Sequence, residues 1–176
     1  MATISAFKAN MQGGGARPNQ FRVELTFPGF VGAIGSVAGN AAQFLCKSAQ
    51  LPASTIDDIT AFYRGRPVHF AGERTFAPWT VSVFNDNNFL IRNVMERWSD
   101  RVLRYDATNG ILAPTDYQVD MSVYQLDRND RTVKQYRFYD VYPTSVGQIQ
   151  LDFESNNQIE LFDIEFTYNY FVASDV

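Results

Sequence analysis

Phe162-Asp163-Ile164-Glu165-Phe166-Thr167-Tyr168-Asn169-Tyr170 decides the fold class. Aromatic and β-branched residues take every second position, and acidic or polar residues fill the gaps. Successive side chains of a strand point to opposite faces, so this pattern predicts a strand buried on one side. The same period recurs upstream. Phe21, Val23, Leu25 and Phe27 alternate with Arg22, Glu24 and Thr26. Trp79, Val81 and Val83 alternate with Thr80 and Ser82, and Val119, Met121 and Val123 with Asp120 and Ser122. Residues 133–139 are rich in aromatic and β-branched types. Asp127-Arg128-Asn129-Asp130 predicts a tight reversal, because Asn and Asp bond their own turn and tolerate left-handed backbone. Ser155-Asn156-Asn157 predicts a second hairpin, joining 149–153 to 159–170.

One segment follows a different period. Ile91, Val94, Met95, Trp98, Val102 and Tyr105 recur every three or four residues, which predicts an amphipathic helix within 86–105. Asp86, Asn87 and Asn88 offer N-caps, and Gly110 lies beyond its end. Strands on both sides of a single helix predict a mainly β fold, an antiparallel sandwich or barrel with one α-helix. Residues 1–176 are expected to form one domain, with 1–15 as a flexible N-terminal arm and 28–43 as a Gly-rich insertion loop.

The composition agrees. The chain has 176 residues, 45% of them apolar and 15% aromatic, which suits one folded domain and excludes general disorder. A net charge of −4 excludes non-specific nucleic-acid binding by charge attraction. The lone Cys46 excludes an internal disulfide, and the lone His69 excludes a site with two imidazoles. The first residues lack the apolar core of a cleaved signal. Residues 25–46 are uncharged and long enough for a bilayer, and Gly35 and Gly39 match a helix-packing spacing. Pro28, the glycines and the amides nevertheless read as an apolar loop, flexible or partly helical, that lies against a protein. Charge is polarised along the chain. The 39 residues after Arg137 carry seven carboxylates and no Lys or Arg, so the first 137 residues total +3. Such a chain is suited to head-to-tail pairing with its own copies.

Catalytic signatures are missing. Gly13-Gly14-Gly15 lacks the lysine of a phosphate loop, the spaced Gly29, Gly32 and Gly35 are not a dinucleotide fingerprint, and there is no nucleophile elbow. Asp127-Arg128-Asn129 starts like a calcium loop but lacks its glycine and its closing glutamate. Cys46 reads as a packed thiol and His69 as structural. Asp57 and Asp58 would diverge on a strand, and nothing separately favours catalysis by Asp152 and Glu154. No catalytic, cofactor or metal residue is assigned, and the residues suggest a self-assembling protein.

Four segments carry a resemblance. The first is Ala16-Arg17-Pro18-Asn19-Gln20-Phe21-Arg22-Val23-Glu24. The second is Phe44-Leu45-Cys46-Lys47-Ser48-Ala49-Gln50-Leu51-Pro52-Ala53. The third runs from Ala71-Gly72-Glu73-Arg74-Thr75-Phe76-Ala77-Pro78-Trp79 to Asp86. The fourth is Tyr142-Pro143-Thr144-Ser145-Val146-Gly147 with Leu151-Asp152-Phe153-Glu154 and the residues to Glu160. In order and content they resemble the tail tube proteins of contractile-tailed bacteriophages, over about residues 16–170. Residues 28–43 and 99–118 are extended relative to that pattern.

The resemblance implies hexameric rings that stack helically into a hollow tube, with each subunit giving strands to a shared inner β-barrel. It implies a contractile sheath around the tube, baseplate and tail-terminator partners, passage of DNA without specific binding, no cofactor and no catalysis. It implies a virion protein assembled in the host bacterial cytoplasm. Arg17, Pro18 and Asn19 would set the entry to the first strand. Leu51-Pro52 would start a projecting loop running to about Ala61. Gly72, Arg74, Phe76 and Trp79 would form a packed corner, with Arg74 tied to a carboxylate such as Asp152. Pro143, Gly147 and Leu151 complete the motif residues. Gly29, Gly32, Gly35, Gly39, Asp57 and Asp58 are candidate subunit or ring contacts. Asp163 and Glu165 are candidate acidic residues facing the channel, the sheath or the next ring. The same architecture would serve a contractile injection or secretion tube carrying toxin. A glycan-binding β-sandwich and an enzyme using His69 are the readings from other classes.

Overall fold

The computed structural model describes residues 3–11 and 15–175. Gly13 and Gly14 lie outside the described residues. After a short helix α1 (Ile4–Asn10) come β1 (Phe21–Glu24), a 3-10 turn at Gly29–Val31, α2 (Ala33–Leu45) and β2 (Cys46–Ala49). Then follow β3 (Ser54–Tyr63), β4 (Arg66–Phe76), β5 (Trp79–Phe84), α3 (Leu90–Val102) and α4 (Pro114–Tyr117). The chain closes with β6 (Val119–Leu126), β7 (Thr132–Val146), β8 (Leu161–Thr167) and β9 (Tyr170–Asp175).

Seven strands form one antiparallel array, β1-β6-β7-β8-β5-β2, with β9 also on β7. It folds into two layers because β7 serves both. Thr132 to Val141 pair with β6, and Tyr142 to Val146 pair with β8. The bend sits at Asp140, whose φ of 59° is left-handed, a conformation that Asp tolerates better than most residues. The reversal from β8 into β9 lies beside it. Asn169 N–H donates to the Tyr139 carbonyl at 3.1 Å, and Asn169 Nδ2 donates to Asp140 Oδ2 at 2.9 Å. Both strands therefore change layer at one bonded corner. This ends the predicted alternation early: Phe162, Ile164, Phe166 and Tyr168 are buried, but Tyr170 starts a new strand and is exposed.

Aromatic contacts dominate the core. Trp79 stacks on Phe138 with centroids 4.3 Å apart and lies 5.5 Å from Phe166. The predicted helix is α3, and Ile91, Val94, Met95 and Trp98 are buried on its inner face. It is shorter than 86–105. The N-cap is Phe89, in left-handed backbone, and not Asp86, Asn87 or Asn88 as expected; Asp86 Oδ1 still accepts from Leu90 N–H at 2.9 Å and so satisfies the first N–H of the helix. Beyond Val102 the backbone turns extended at Leu103, which leaves Tyr105 exposed.

The expectation of one helix is corrected: residues 33–45 form α2, a regular helix of 13 residues as long as α3, where the reading is a loop, flexible or partly helical. Val31, Gly35, Ala38 and Ala42 are buried at spacings of four, three and four. Small residues give this face little apolar contrast, so glycine content read as breakage, and close packing overrides the poor helix propensity of glycine. A Cβ on Gly35 would meet Phe27 Cβ at 3.1 Å, and one on Gly39 would meet the Leu25 carbonyl oxygen at 2.8 Å. The two glycines of the membrane-type spacing therefore seat α2 on residues 25–27 of the same chain. Gly35 is buried there and is not a free contact residue. Among the described residues no helix is long and apolar enough to cross a membrane.

The seat gives a prediction with a decided sign. On an open helix surface Gly→Ala adds roughly 1 kcal/mol of stability. At Gly39 the new Cβ meets main chain, so Gly39→Ala is expected to destabilise, and Gly39→Val to cost about 1–3 kcal/mol. Thermal unfolding of the dispersed subunit measures both, and an alanine variant that melts higher than wild type would refute the close seat.

The hairpin expected around Ser155 is also corrected. Residues 147–160 contain no strand. Asp152 Oδ1 accepts from Glu154 N–H at 3.0 Å, and Ser155 N–H donates to the Asp152 carbonyl at 3.2 Å. These local bonds occupy groups that a ladder would need. The reversal at Asp127 matches the reading: its Oδ1 accepts from the N–H groups of Asn129 and Arg131 at 2.7 and 2.9 Å. Those bonds hold the Asp127 carboxyl below its ordinary pKa.

Candidate assembly surfaces

The largest departure from the expected projecting loop is regular structure. β3 and β4 form a two-stranded sheet of their own, and Arg64 and Gly65, both at positive φ, close its tip. Register divides its faces. Ile59 lies opposite Phe70, Ala61 opposite Val68 and Tyr63 opposite Arg66. Asp58 lies opposite Ala71, Thr60 opposite His69 and Phe62 opposite Pro67. The first face is apolar, and its Ile59, Tyr63, Val68 and Phe70 are all exposed. An isolated hairpin is marginal in water, and a contiguous exposed apolar face marks an interaction surface.

The base of the hairpin is tied to the core. Phe76 packs 5.9 Å from Tyr168 and 5.6 Å from Phe171. Arg74 Nη1 donates to Ser54 Oγ at 2.8 Å across the two strands. The proposed tie from Arg74 to Asp152 is therefore replaced by a bond within the hairpin. The packed corner also divides: Phe76 and Trp79 join the core, whereas Gly72 and Arg74 belong to the hairpin. A Cβ on Gly72 would meet the Asp57 carbonyl oxygen at 2.7 Å, beside the irregularity between Ile56 and Asp58. Leu51 and Pro52 lead into β3, and Gln50 just before them accepts from Trp79 Nε1 at 2.8 Å.

On the polar face His69 Nδ1 is 2.6 Å from Asp58 Oδ2, and Thr60 Oγ1 donates to the same oxygen at 3.0 Å. Thr60 stands 3.4 Å from Nδ1, the nitrogen that faces the carboxylate. In a hydrolytic triad the hydroxyl and the acid engage opposite ring nitrogens. This arrangement instead joins the strands across their register.

The two layers present different outer faces. On the layer containing β8, Thr80, Ser82, Ser145, Asp163 and Glu165 point away from the core. Ser82 Oγ donates to Asp163 Oδ1, and Thr144 Oγ1 donates to the Glu165 carbonyl at 3.1 Å. Lys47 and Ser48 border Asp163 at the β2 edge. On the other layer, Tyr124 OH donates to Glu24 Oε2 at 2.9 Å, and Arg137 Nη2 donates to Asp120 Oδ2 at 2.9 Å. Desolvation, followed by the Glu24 contact, raises the Tyr124 pKa. The bond to Asp120 raises that of Arg137. The edge strands β1, β2 and β9 each pair on one side only among the described residues.

The motif residues occupy joints of this frame. Gln125 Nε2 donates to the Arg17 and Gln20 carbonyls at 2.8 and 2.7 Å, which fixes the Pro18-Asn19 turn before β1. Pro143 sits in β7 where that strand has β8 as its partner, and proline fits such a place because it lacks a ladder donor. Gly147 N–H donates to the Asp163 carbonyl at 2.7 Å, and Arg92 Nη1 donates to the Gly147 carbonyl at 2.9 Å. Leu151 and Asp152 lie exposed in the loop, and Gly29 and Gly32 are exposed beside α2.

Burial raises the Cys46 thiol from 9.0 to about 11. A half-buried thiol held neutral is a poor nucleophile, so alkylation of the folded chain is expected to stay slow at pH 8 and to accelerate only as pH nears that value. The unfolded chain loses this proton first, so stability should fall as pH rises from 9 towards 11. Alkylation rates against pH measure the first effect, and rapid modification at pH 8 would contradict the burial. Among the described residues no three His, Cys, Asp or Glu side chains are grouped to hold a metal ion.

Comparison with known proteins adds an independent line. The family model described as phage tail tube protein matches residues 16–174. Tail tube protein gp19 of Enterobacteria phage T4 is 33% identical over 158 residues, covering 88% of this chain and 90% of that protein. The tail tube protein of Serratia phage KSP90 is 25% identical over 170 residues, covering 96% and 95%. The fold is similar to a chain in the cap of the anti-feeding prophage, with TM-score 0.68, 16% identity and 92% of both chains covered. It is also similar to a chain in the sheath-tube complex of an extracellular contractile injection system, with TM-score 0.61, 11% identity and 99% and 100% covered.

Proposed function

This chain belongs to the phage tail tube protein family, and from that premise we propose that its work is mechanical: it polymerises into the hollow tube of a contractile tail. Phage tail tube proteins are virion components. Copies form hexameric rings, and the rings stack into a tube inside the sheath, between the baseplate and the tail terminator. DNA passes through without specific binding, and assembly takes place in the host bacterial cytoplasm. The chain contributes no catalysis to this.

The observation that carries the assembly reading is the hairpin with its exposed apolar face, joined to a body whose edge strands each pair on one side only among the described residues. Open edges invite pairing with another chain, and a shared closed barrel removes them. The hairpin reaches a neighbouring copy and buries Ile59, Val68 and Phe70 there, with Asp57 and Asp58 at the margin of that contact. Gly29 and Gly32 belong to a second contact beside α2. Asp163 and Glu165 line the channel, where carboxylates repel phosphate and let DNA slide. Contacts that do not close on themselves give filaments. The phage relatives at 33% identity favour a DNA-conducting tail over a toxin-carrying injection tube, whose similar chains agree in fold at 11–16%.

Negative-stain electron microscopy of the purified chain at rising concentration, with and without tail baseplates, tests the reading. Hollow tubes or stacked six-fold rings are expected. A chain that stays monomeric and does not elongate even from baseplates is not a tube subunit.

A further inference from the structure

Two exposed segments are explained by neither the core nor the hairpin. On α1 and its C-cap residue, Ile4, Phe7 and Met11 form one stripe, spaced by three and four residues, and no residue of this helix is buried. Thr3 Oγ1 accepts from Ala6 N–H at 3.3 Å and caps the helix, so α1 is formed locally with its stripe uncovered. In the loop of residues 147–160, Leu151, Phe153 and Ile159 are exposed, with Phe153 at 107%. The Asp152 turn and the bond from Asn156 N–H to the Glu154 carbonyl at 2.9 Å give this loop a set shape.

The charges of the two segments are opposite. Residues 3–11 carry Lys8 and no carboxylate, whereas the loop carries Asp152, Glu154 and Glu160 and no Lys or Arg. The other strongly exposed apolar residues do not offer this match. Phe44 lies near Lys47, and Leu112 follows a segment with Arg101 and Arg104. We propose that in the assembled tube α1 of one copy docks on the 147–160 loop of a second copy, setting Ile4, Phe7 and Met11 against Leu151, Phe153 and Ile159 and placing Lys8 beside Asp152 and Glu154. The proposal rests on the tube reading above and names a contact separate from the hairpin. Apolar burial supplies the attraction, and the charge match fixes the direction of the pairing.

The test uses full chains with Cys46→Ser. One batch carries Phe7→Cys and the other Phe153→Cys, both exposed positions whose replacement leaves the core untouched. The batches are mixed under tube-forming conditions, with baseplates if growth needs them, and oxidised gently. A covalent dimer on a non-reducing gel is expected from the mixture, well above the level of either batch alone. Lys8→Glu is expected to raise the concentration needed for tube growth about tenfold, and adding Asp152→Lys and Glu154→Lys to the same chain is expected to restore it. Normal tubes without the mixed dimer, and with no effect of Lys8→Glu, would overturn this contact and leave the tube reading standing. A wild-type chain that forms neither rings nor tubes, baseplates present, would overturn both.

Discussion

Trp79→Ala will lower the folding stability of the dispersed subunit by about 3–5 kcal/mol. Trp79 is almost wholly buried and stands where both layers meet. Its ring stacks on Phe138 of β7 at 4.3 Å and neighbours Phe166 of β8 at 5.5 Å. Its Nε1 donates to the Gln50 carbonyl at 2.8 Å, tying the end of β2 to the start of β5. Truncation removes the ring, leaves a cavity between rigid strands, and strips a carbonyl of its donor. A domain of this size has only about 5–15 kcal/mol in total, so the variant sits near its folding limit. Trp79→Phe keeps the measurement readable. It retains part of the stack and loses the indole donor, for an expected cost between those of the wild type and the alanine variant. Urea unfolding followed by circular dichroism gives both values. An alanine variant within 1 kcal/mol of wild type would show that the layers are held together elsewhere.

The strands that enclose Trp79 were the most legible part of the sequence. Trp79, Val81 and Val83, and Phe162, Ile164 and Phe166, are buried because one face of each strand meets the core, and period two reports that directly. The face of α3 was legible for the same reason. Where the exposure contrast vanishes, so does the signal. α2 buries Gly35, Ala38 and Ala42, residues too small to mark a face. The hairpin lies in solvent on both faces, so its strand character was hidden although Ile59, Ala61 and Tyr63 alternate with Thr60 and Phe62. Leu151 and Phe153 failed oppositely: apolar residues in alternation lie in a loop, held out by the Asp152 turn. A single chain's pattern does not record why such apolar side chains stay exposed.

The joints were partly legible. Pro18 marked the entry to β1, but the tie that fixes it comes from Gln125, more than a hundred positions away. Arg74 was read as a cation needing a carboxylate, yet it bonds the Ser54 hydroxyl beside it. Asp163 and Glu165 were placed correctly on the outer face of β8 by period alone.

Ile59→Glu combined with Phe70→Lys will abolish tube growth while leaving the subunit folded. The two positions face each other across β3 and β4, so the new side chains have opposite charges at Cβ-to-Cβ range and continue to support the hairpin register. Both residues are exposed in the single chain, so folding stability should change by only about 0.5 kcal/mol. In the proposed contact the same pair must leave water. Desolvation costs several kcal/mol per ion, and apolar neighbours return little of it, so the concentration needed for growth should rise about a hundredfold or more. His69→Gln is the matched control on the opposite face. Its ring serves Asp58 and Thr60 within the hairpin, and tubes are expected to grow as in wild type. Sedimentation and electron microscopy of the three proteins at equal concentration give the comparison. Normal tubes from the Ile59→Glu, Phe70→Lys chain would remove the apolar face from the assembly. Failure of His69→Gln alone would move the contact to the polar face, where Asp58 rather than Phe70 meets the neighbour.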